Sequence, residues 1–304
     1  MNTEREDIYT RVTNQIVTAI EAGAPKFRMP WHITDAERFC PINAVSKRPY
    51  RGINVLLLWA QADAKGYETG NWATFAQWKQ LGASVRKGER ATTVVLWKPI
   101  DAAGKRTADD ESAETPRRDR GLLALGFSVF NAAQVDGYER PNRETLSEGE
   151  RIQAAERVLF SHGAEILHGG SAAFYDVNTD RIHLPRFDSF RDPIAYYATL
   201  SHELTHFSGA SHRLDRNLTG RFGSSAYAAE ELVAELGSAF LCARLGLSTE
   251  PRPDHAGYIA DWLTFLKHDK KAIFTAASKA QQAADWLMGE YQTEATTPNA
   301  ALAA

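Results

Sequence analysis

The chain has 304 residues, 43% of them hydrophobic and 24% charged, with a formal net charge of -3. This length and balance describe a globular protein with room for two domains of ordinary size. They exclude a membrane-spanning chain, because apolar runs such as Val55 to Ala60 fall far short of the about 20 residues a span requires.

The first residues alternate in charge and lack an apolar stretch, so no secretory signal is expected and the protein is placed in the cytoplasm. Ile8, Val12, Ile16, Val17 and Ile20 recur at helical spacing and predict a first helix, stopped by Gly23 and Pro25. Helices are also predicted over Asn54 to Lys65 and Thr74 to Leu81, then strands over Thr92 to Trp97 and Leu122 to Phe130. Between those strands, Asp101 to Gly121 is charged and almost without aliphatics, and reads as a mobile loop. The polar, proline-containing segment from Tyr138 to Glu150 is the expected boundary, dividing the chain into 1–140 and 141–292. Beyond it come a predicted helix over Arg151 to His162 and strands over Ala172 to Val177 and Arg181 to Leu184. Everything after Asp192 has a helical pattern, and a disordered tail is expected at 293–304. The expected fold is α+β: an α+β first domain, then a mostly helical second domain with a small sheet. Cys40 and Cys242 lack paired spacing and read as small core residues.

Asp192-Pro193 makes a good helix start, and Ile194, Tyr197, Leu200 and Leu204 give its apolar face up to Gly209. His202 and His206 therefore lie four apart on one helix, the spacing that suits one divalent ion. Glu203 beside the first of them is placed to act as general base. The stretch Tyr227 to Leu245 predicts a second helix carrying Glu231 and Glu235 four apart. Like charges at that spacing repel mildly on a bare helix, and a nearby cation reverses the sign. A His2Glu site needs one glutamate from a following helix. Glu231 is taken as the third ligand, and Glu235 as the carboxylate that orients a ligand histidine or as an alternative ligand. His212 completes the longer pattern HExxHxxGxxH and stays open as a rival third ligand, ranked behind Glu231 because the methionine turn of that pattern is lacking. Zinc is the expected ion, with manganese as the alternative.

The first half is the more basic one. From Arg38 to Lys98 there are 10 basic and 3 acidic residues, interleaved with aromatics. A cationic groove lined by flat side chains is how single-stranded DNA is held without sequence preference. The expected contacts are Lys47, Arg48, Tyr50 and Arg51 in one loop, Arg86, Lys87 and Arg90 in another, and Trp72. Seven tryptophans in the chain exceed what its core commonly needs.

The segments PINAVSKRPYRGIN, WATFAQWKQLG, VRKGER, FSVFNAAQVDG, LSHELTHFSGASHRLDR, RFG, YAAEELVAELGSAFL and YIADWLTFLKHDKKAIF together resemble the ArdC-type antirestriction proteins. The resemblance runs in order from about Asp7 to Tyr291. It implies an N-terminal single-stranded-DNA-binding domain and a C-terminal zincin-like metallopeptidase domain, in a protein that travels with plasmid DNA and helps it escape host restriction during conjugation. It also implies His202, His206 and a glutamate of the YAAEELVAE helix as metal ligands. Two modes of action stay open: protection by covering the strand, for which Glu203 chemistry is not needed, and metal-dependent peptidase action on an unnamed protein substrate. No membrane partner is expected.

Overall fold

The computed structural model describes residues 6–26, 28–33, 38–100, 121–139, 146–218, 224–249 and 256–291. The loop expected at 101–120, the tail expected at 293–304 and residues 140–145 of the expected boundary lie outside the described residues.

The chain is an α+β protein. Helix α1 (Ile8–Gly23) starts at Asp7, whose carboxylate accepts from the backbone of Tyr9 and Thr10, and it buries Val12, Ile16, Val17 and Ile20. Strand β1 (Ile42–Asn43) precedes α2 (Ile53–Lys65), which ends at Gly66 in the left-handed conformation with φ 65°. Leu56, Leu57, Leu58 and Trp59 are all buried, so α2 is apolar nearly all round and runs through the core rather than over it. Strand β2 (Asn71–Ala73) leads into α3 (Phe75–Gln80), started by a reciprocal cap between Thr74 and Gln77. Strands β3 (Ser84–Val85), β4 (Thr92–Ile100), β5 (Gly121–Asn131) and β6 (Val135–Asp136) complete this half. One sheet has the order β1-β2-β5-β4, in which β4 and β5 form a long antiparallel ladder from Thr92↔Val129 to Ile100↔Gly121. β3 and β6 pair as a separate two-stranded ribbon.

The second half contains α4 (Glu148–Leu159), strands β7 (Glu165–His168), β8 (Phe174–Asp176) and β9 (Arg181–Leu184), then α5 (Pro193–Ser208), α6 (Ser225–Leu245), α7 (Ala256–His268) and α8 (Ala272–Leu287). The small sheet has the order β7-β9-β8, with β7 parallel and β8 antiparallel to β9. β8 therefore lies on an edge. Helix α6 packs against α5, α7 and α8 and is buried along almost its whole length from Glu231 to Leu245.

A single buried cluster runs from Val12 to Leu287 and draws residues from both halves. A second, small cluster joins Ala44, Ala73, Trp78, Ala83, Ala132 and Val135. The excess of tryptophan is accounted for by packing: Trp31, Trp59, Trp72, Trp78 and Trp262 are among the largest fully buried side chains. Cys242 is buried and Cys40 half-buried, and neither forms a disulfide.

Candidate metal centre

The centre is built by two helices that approach closely. Asp192 starts α5 by accepting from the backbone N–H of Ala195 at 2.8 Å, and Pro193 takes the first turn, where no donor is lost. Where α5 crosses α6, Thr205 lies against Gly237: a Cβ at Gly237 would come within 2.5 Å of Thr205 Cγ2. The absent side chain lets the helices close until Ser238 donates to the carbonyl of Ala198 at 3.0 Å. That closeness brings the glutamates of α6 to the histidines of α5.

Glu231 lies between the two imidazoles. Its carboxylate oxygens are 3.6 Å from His202 Nε2 and 3.7 Å from His206 Nε2. Donor atoms of His202, His206 and Glu231 all fall within 4.8 Å of one another, the one such trio among the described residues. Ligands about 2.0–2.2 Å from a tetrahedral ion sit about 3.3–3.6 Å apart, so the trio fits an ion with little movement and leaves a fourth position open. Both rings are already oriented. Glu235 accepts at His202 Nδ1, 3.0 Å away, and Glu230 faces His206 Nδ1 at 3.3 Å. With each Nδ1 turned to a carboxylate, both Nε2 atoms are presented to the same point. Burial by itself would raise the Glu231 carboxyl; hydrogen bonding with His202 and the charges of His206 and His202 bring it down to about 2.

Glu203 is buried and lines an open cleft of about 300 Å³ beside the trio. Phe174 and Val177 from the β8 side and Tyr227 and Tyr258 from the helices line it too. The two tyrosine hydroxyls lie 3.1 Å apart, and burial, with the Tyr258 hydroxyl and Glu231, raises the Tyr227 phenol well above its ordinary range.

The remaining expected residues fall as follows. Glu235 is seated behind His202 rather than beside the trio. His212 is turned outward, its side chain 63% exposed and its Nε2 3.5 Å from Asp180, and it is not part of the trio formed by His202, His206 and Glu231. Sequence reasoning missed Glu230 and Arg216. Glu230 is adjacent to Glu231 and so points about 100° away on the helix, and only the return of the chain after α5 places Arg216 against it, with Nε–Oε2 3.1 Å.

In the basic half, Lys47, Arg48, Arg51, Arg86, Lys87 and Arg90 are exposed. Arg51 forms an ion pair with Asp285. Arg86 pairs with Glu89 at 3.1 Å and Asp136 at 3.5 Å and donates to the carbonyl of Ala133. Two expected contacts need correction. Trp72 is 1% exposed, with its ring packed edge-on to Tyr67, and Tyr50 is 7% exposed, so neither offers an open face to a base. Phe75 is an open aromatic side chain in this region, 58% exposed and edge-on to Phe130. Because α3 carries its core contact through Trp78, Phe75 is left on the outer side of the same short helix. Both basic turns leave the small cluster that holds α3, one after Ala44 and the other after Ala83.

Residues 6–130 match the family described as the N-terminal domain of anti-restriction factor ArdC, and residues 153–279 match the zincin-like metallopeptidase family. The uncharacterised protein y4eC of Sinorhizobium fredii is 56% identical over 283 residues, which cover 92% of this chain and 91% of that protein. DNA primase TraC of Escherichia coli is 35% identical over 301 residues, which are 95% of this chain but 28% of the primase. The metal-free crystal structure of the antirestriction ArdC protein from the R388 plasmid superposes with a TM-score of 0.74 at 38% identity, over 94% of this chain and 98% of that one. Its Mn(II)-bound structure also superposes at 0.74, with 36% identity over 95% and 100% of the two chains.

Proposed function

The chain belongs to the ArdC antirestriction family, and from that premise we propose that it binds single-stranded DNA and shields incoming plasmid DNA from host restriction. The observation that carries the DNA reading is the pairing of exposed cations with an exposed ring. Lys47, Arg48, Lys87 and Arg90 stand on two turns that share a small core with α3, and Phe75 opens from α3. Phosphates are held by the cations and an unpaired base by the ring. Among the described residues no helix is long and apolar enough to cross a membrane, and action in the cytoplasm, where transferred DNA arrives, follows from this reading.

The second half is proposed to hold one divalent ion on His202, His206 and Glu231. Two imidazole nitrogens and one carboxylate suit zinc, which also outcompetes manganese at such donors when both are present. A bound ion would supply Lewis acidity at the open position. Glu235 and Glu230 keep the histidines turned to that position, and Glu203, buried at the edge of the cleft, is placed to accept a proton from an attacking water. Phe174 and Val177, both exposed at the mouth, offer apolar contact to a peptide.

Protection is proposed to rest on occupancy of the strand, with the ion tying α5 to α6. The second reading, peptidase action on a host protein, is favoured by buried Glu203 lining the open cleft beside the trio. One experiment separates them. Glu203→Ala keeps every proposed ligand, so it is expected to retain stoichiometric metal, bind DNA and protect a transferred plasmid as the wild type does. A folded, metal-loaded, DNA-binding Glu203→Ala protein that no longer protects would establish the peptidase reading.

A further inference from the structure

The segment that follows α5 turns back on itself. Arg213 N donates to the carbonyl of Ala210, Asp215 N to Ala210 at 3.1 Å and Arg216 N to Gly209 at 2.8 Å, with Asp215 in the left-handed region at φ 48°. This return brings Arg216 under the end of α5. Its side chain is only 3% exposed, deeper than any other arginine in an ion pair among the described residues. Every edge of the guanidinium is used. Nε and Nη2 donate to Glu230, at 3.1 and 2.9 Å, Nη1 donates to Ser208 Oγ at 3.0 Å, and Nη2 also reaches the carbonyl of Thr205. Glu230 in turn faces His206 Nδ1.

We propose that Arg216 is a positioning residue for the metal centre: it locks Glu230 against His206 Nδ1, and thereby fixes the direction of His206 Nε2. The proposal rests on the metal reading of the trio. The physical case is one of charge and shape. The Glu230 side chain is 11% exposed, and a carboxylate that far from water is costly unless it is paired in good geometry. A planar fork meeting it through two nitrogens holds it in one orientation, which a lysine could not do. The fork is also anchored to the last turn of α5, two of whose groups, Thr205 and Ser208, flank His206. Glu235 faces His202 from a packed stretch of α6, in the middle of the helix pair. His206 lies in the last turn of α5, the turn that the fork anchors.

Gly209 supplies an independent observation. Its φ of -82° is open to any residue, so the turn does not require glycine. A Cβ there would lie 2.7 Å from Arg216 Nη2 and 2.9 Å from Cζ, well inside contact distance. The glycine three residues beyond His206 is thus explained by the space the guanidinium occupies.

The test is zinc affinity of the full chain, measured by competition with a chromogenic chelator, with thermal unfolding of the metal-free protein recorded alongside. Arg216→Ala and Glu230→Gln are each expected to weaken zinc binding by about 10- to 100-fold, the usual cost of losing a group behind a ligand. Arg216→Lys should recover little of that loss. Because the two act in series, the double variant should lose no more than the weaker-binding single variant, whereas independent effects would multiply. Gly209→Ala should shift affinity in the same direction. An Arg216→Ala protein with lowered melting temperature but wild-type zinc affinity would overturn the proposal and leave Arg216 a structural staple; so would multiplicative losses in the double variant. A wild-type chain that takes up no stoichiometric metal would instead remove the centre itself.

Discussion

At Gly237 one missing methyl group sets the distance between the helix that carries the histidines and the helix that carries the glutamates. An added Cβ would meet Thr205 Cγ2 at 2.5 Å and Oγ1 at 2.9 Å, and Thr205 is itself fully buried and donates to the carbonyl of Ser201. Gly237→Ala is therefore expected to cost about 1–3 kcal/mol through overpacking and to weaken metal binding, because α6 can relieve the clash only by moving its glutamates away. Thr205→Ala removes both clashing atoms, so the double variant should regain metal affinity; a double variant as defective as Gly237→Ala alone would show that the spacing is set elsewhere. Cys242 gives a residue-scale expectation in pH. Burial pushes its thiol from 9.0 up to about 11, so folding favours the protonated form. The stability this contributes is full below about pH 9 and is lost as pH rises through about 11. Denaturant midpoints of wild type and Cys242→Ala should therefore converge between those limits, and a difference independent of pH would contradict the assignment.

The two basic turns and α3 act as one element in the DNA reading, which separates two kinds of variant. Replacing Arg86, Lys87 and Arg90 together by Ala should flatten the salt dependence of single-strand binding, by about 0.7 log units per decade for each phosphate no longer neutralised. Phe75→Ala should weaken binding about 5- to 100-fold, the usual worth of one stacked base, and leave the slope nearly unchanged. Trp72→Phe, at a buried site, should leave the salt slope alone and act through stability. Equal affinity of the wild type for single and double strands would defeat the stacking argument. That Phe75 rather than Trp72 is exposed was not legible beforehand, because composition counts aromatics without saying which side of a three-residue strand faces the core. The long helices were legible: α1, α2, α5 and α6 lie within a few residues of their expected spans, since apolar spacing and caps act locally. The strands β1, β2, β3 and β6 were not, being two or three residues long and held by distant partners such as Trp72↔Asn131 and Ser84↔Asp136. The same division runs through the site. His202, Glu203 and His206 declare themselves by spacing on one helix, and Glu231 and Glu235 by theirs, whereas Glu230 and Arg216 depend on a chain reversal that no local pattern encodes.

The two halves that the charge asymmetry and the family matches distinguish do not have separate cores. Trp31 packs edge-on to Trp262 of α7 at 6.0 Å, and Tyr9 and Trp97 both meet Phe274 of α8, at 5.0 and 5.9 Å. Polar groups cross as well. Thr249 accepts from the backbone of Ile33 and donates to the carbonyl of Trp31, Thr13 donates to the carbonyl of Lys270, and Asp285 receives both Arg51 and Arg244. A fragment ending at 140 would expose the buried faces of α1 and α2 and leave those partners unmatched, so it is expected to be unfolded or aggregated rather than a free DNA-binding module. The intact chain should unfold in one transition, with tryptophan fluorescence and far-ultraviolet circular dichroism coincident in denaturant. Linkage then makes a sharper demand. An ion that binds only the folded centre at 100 times its Kd adds about 2.7 kcal/mol, and in a single cooperative unit that increment must appear at every probe, including tryptophans of the basic half that lie far along the chain from His202. Saturating zinc should thus raise both transitions equally, and the His202→Ala/His206→Ala variant should lose the response at both. If zinc shifted only the helical signal while the tryptophan transition stayed in place, the halves would be independent units, and the proposed role of the ion in holding the whole protein together would fail.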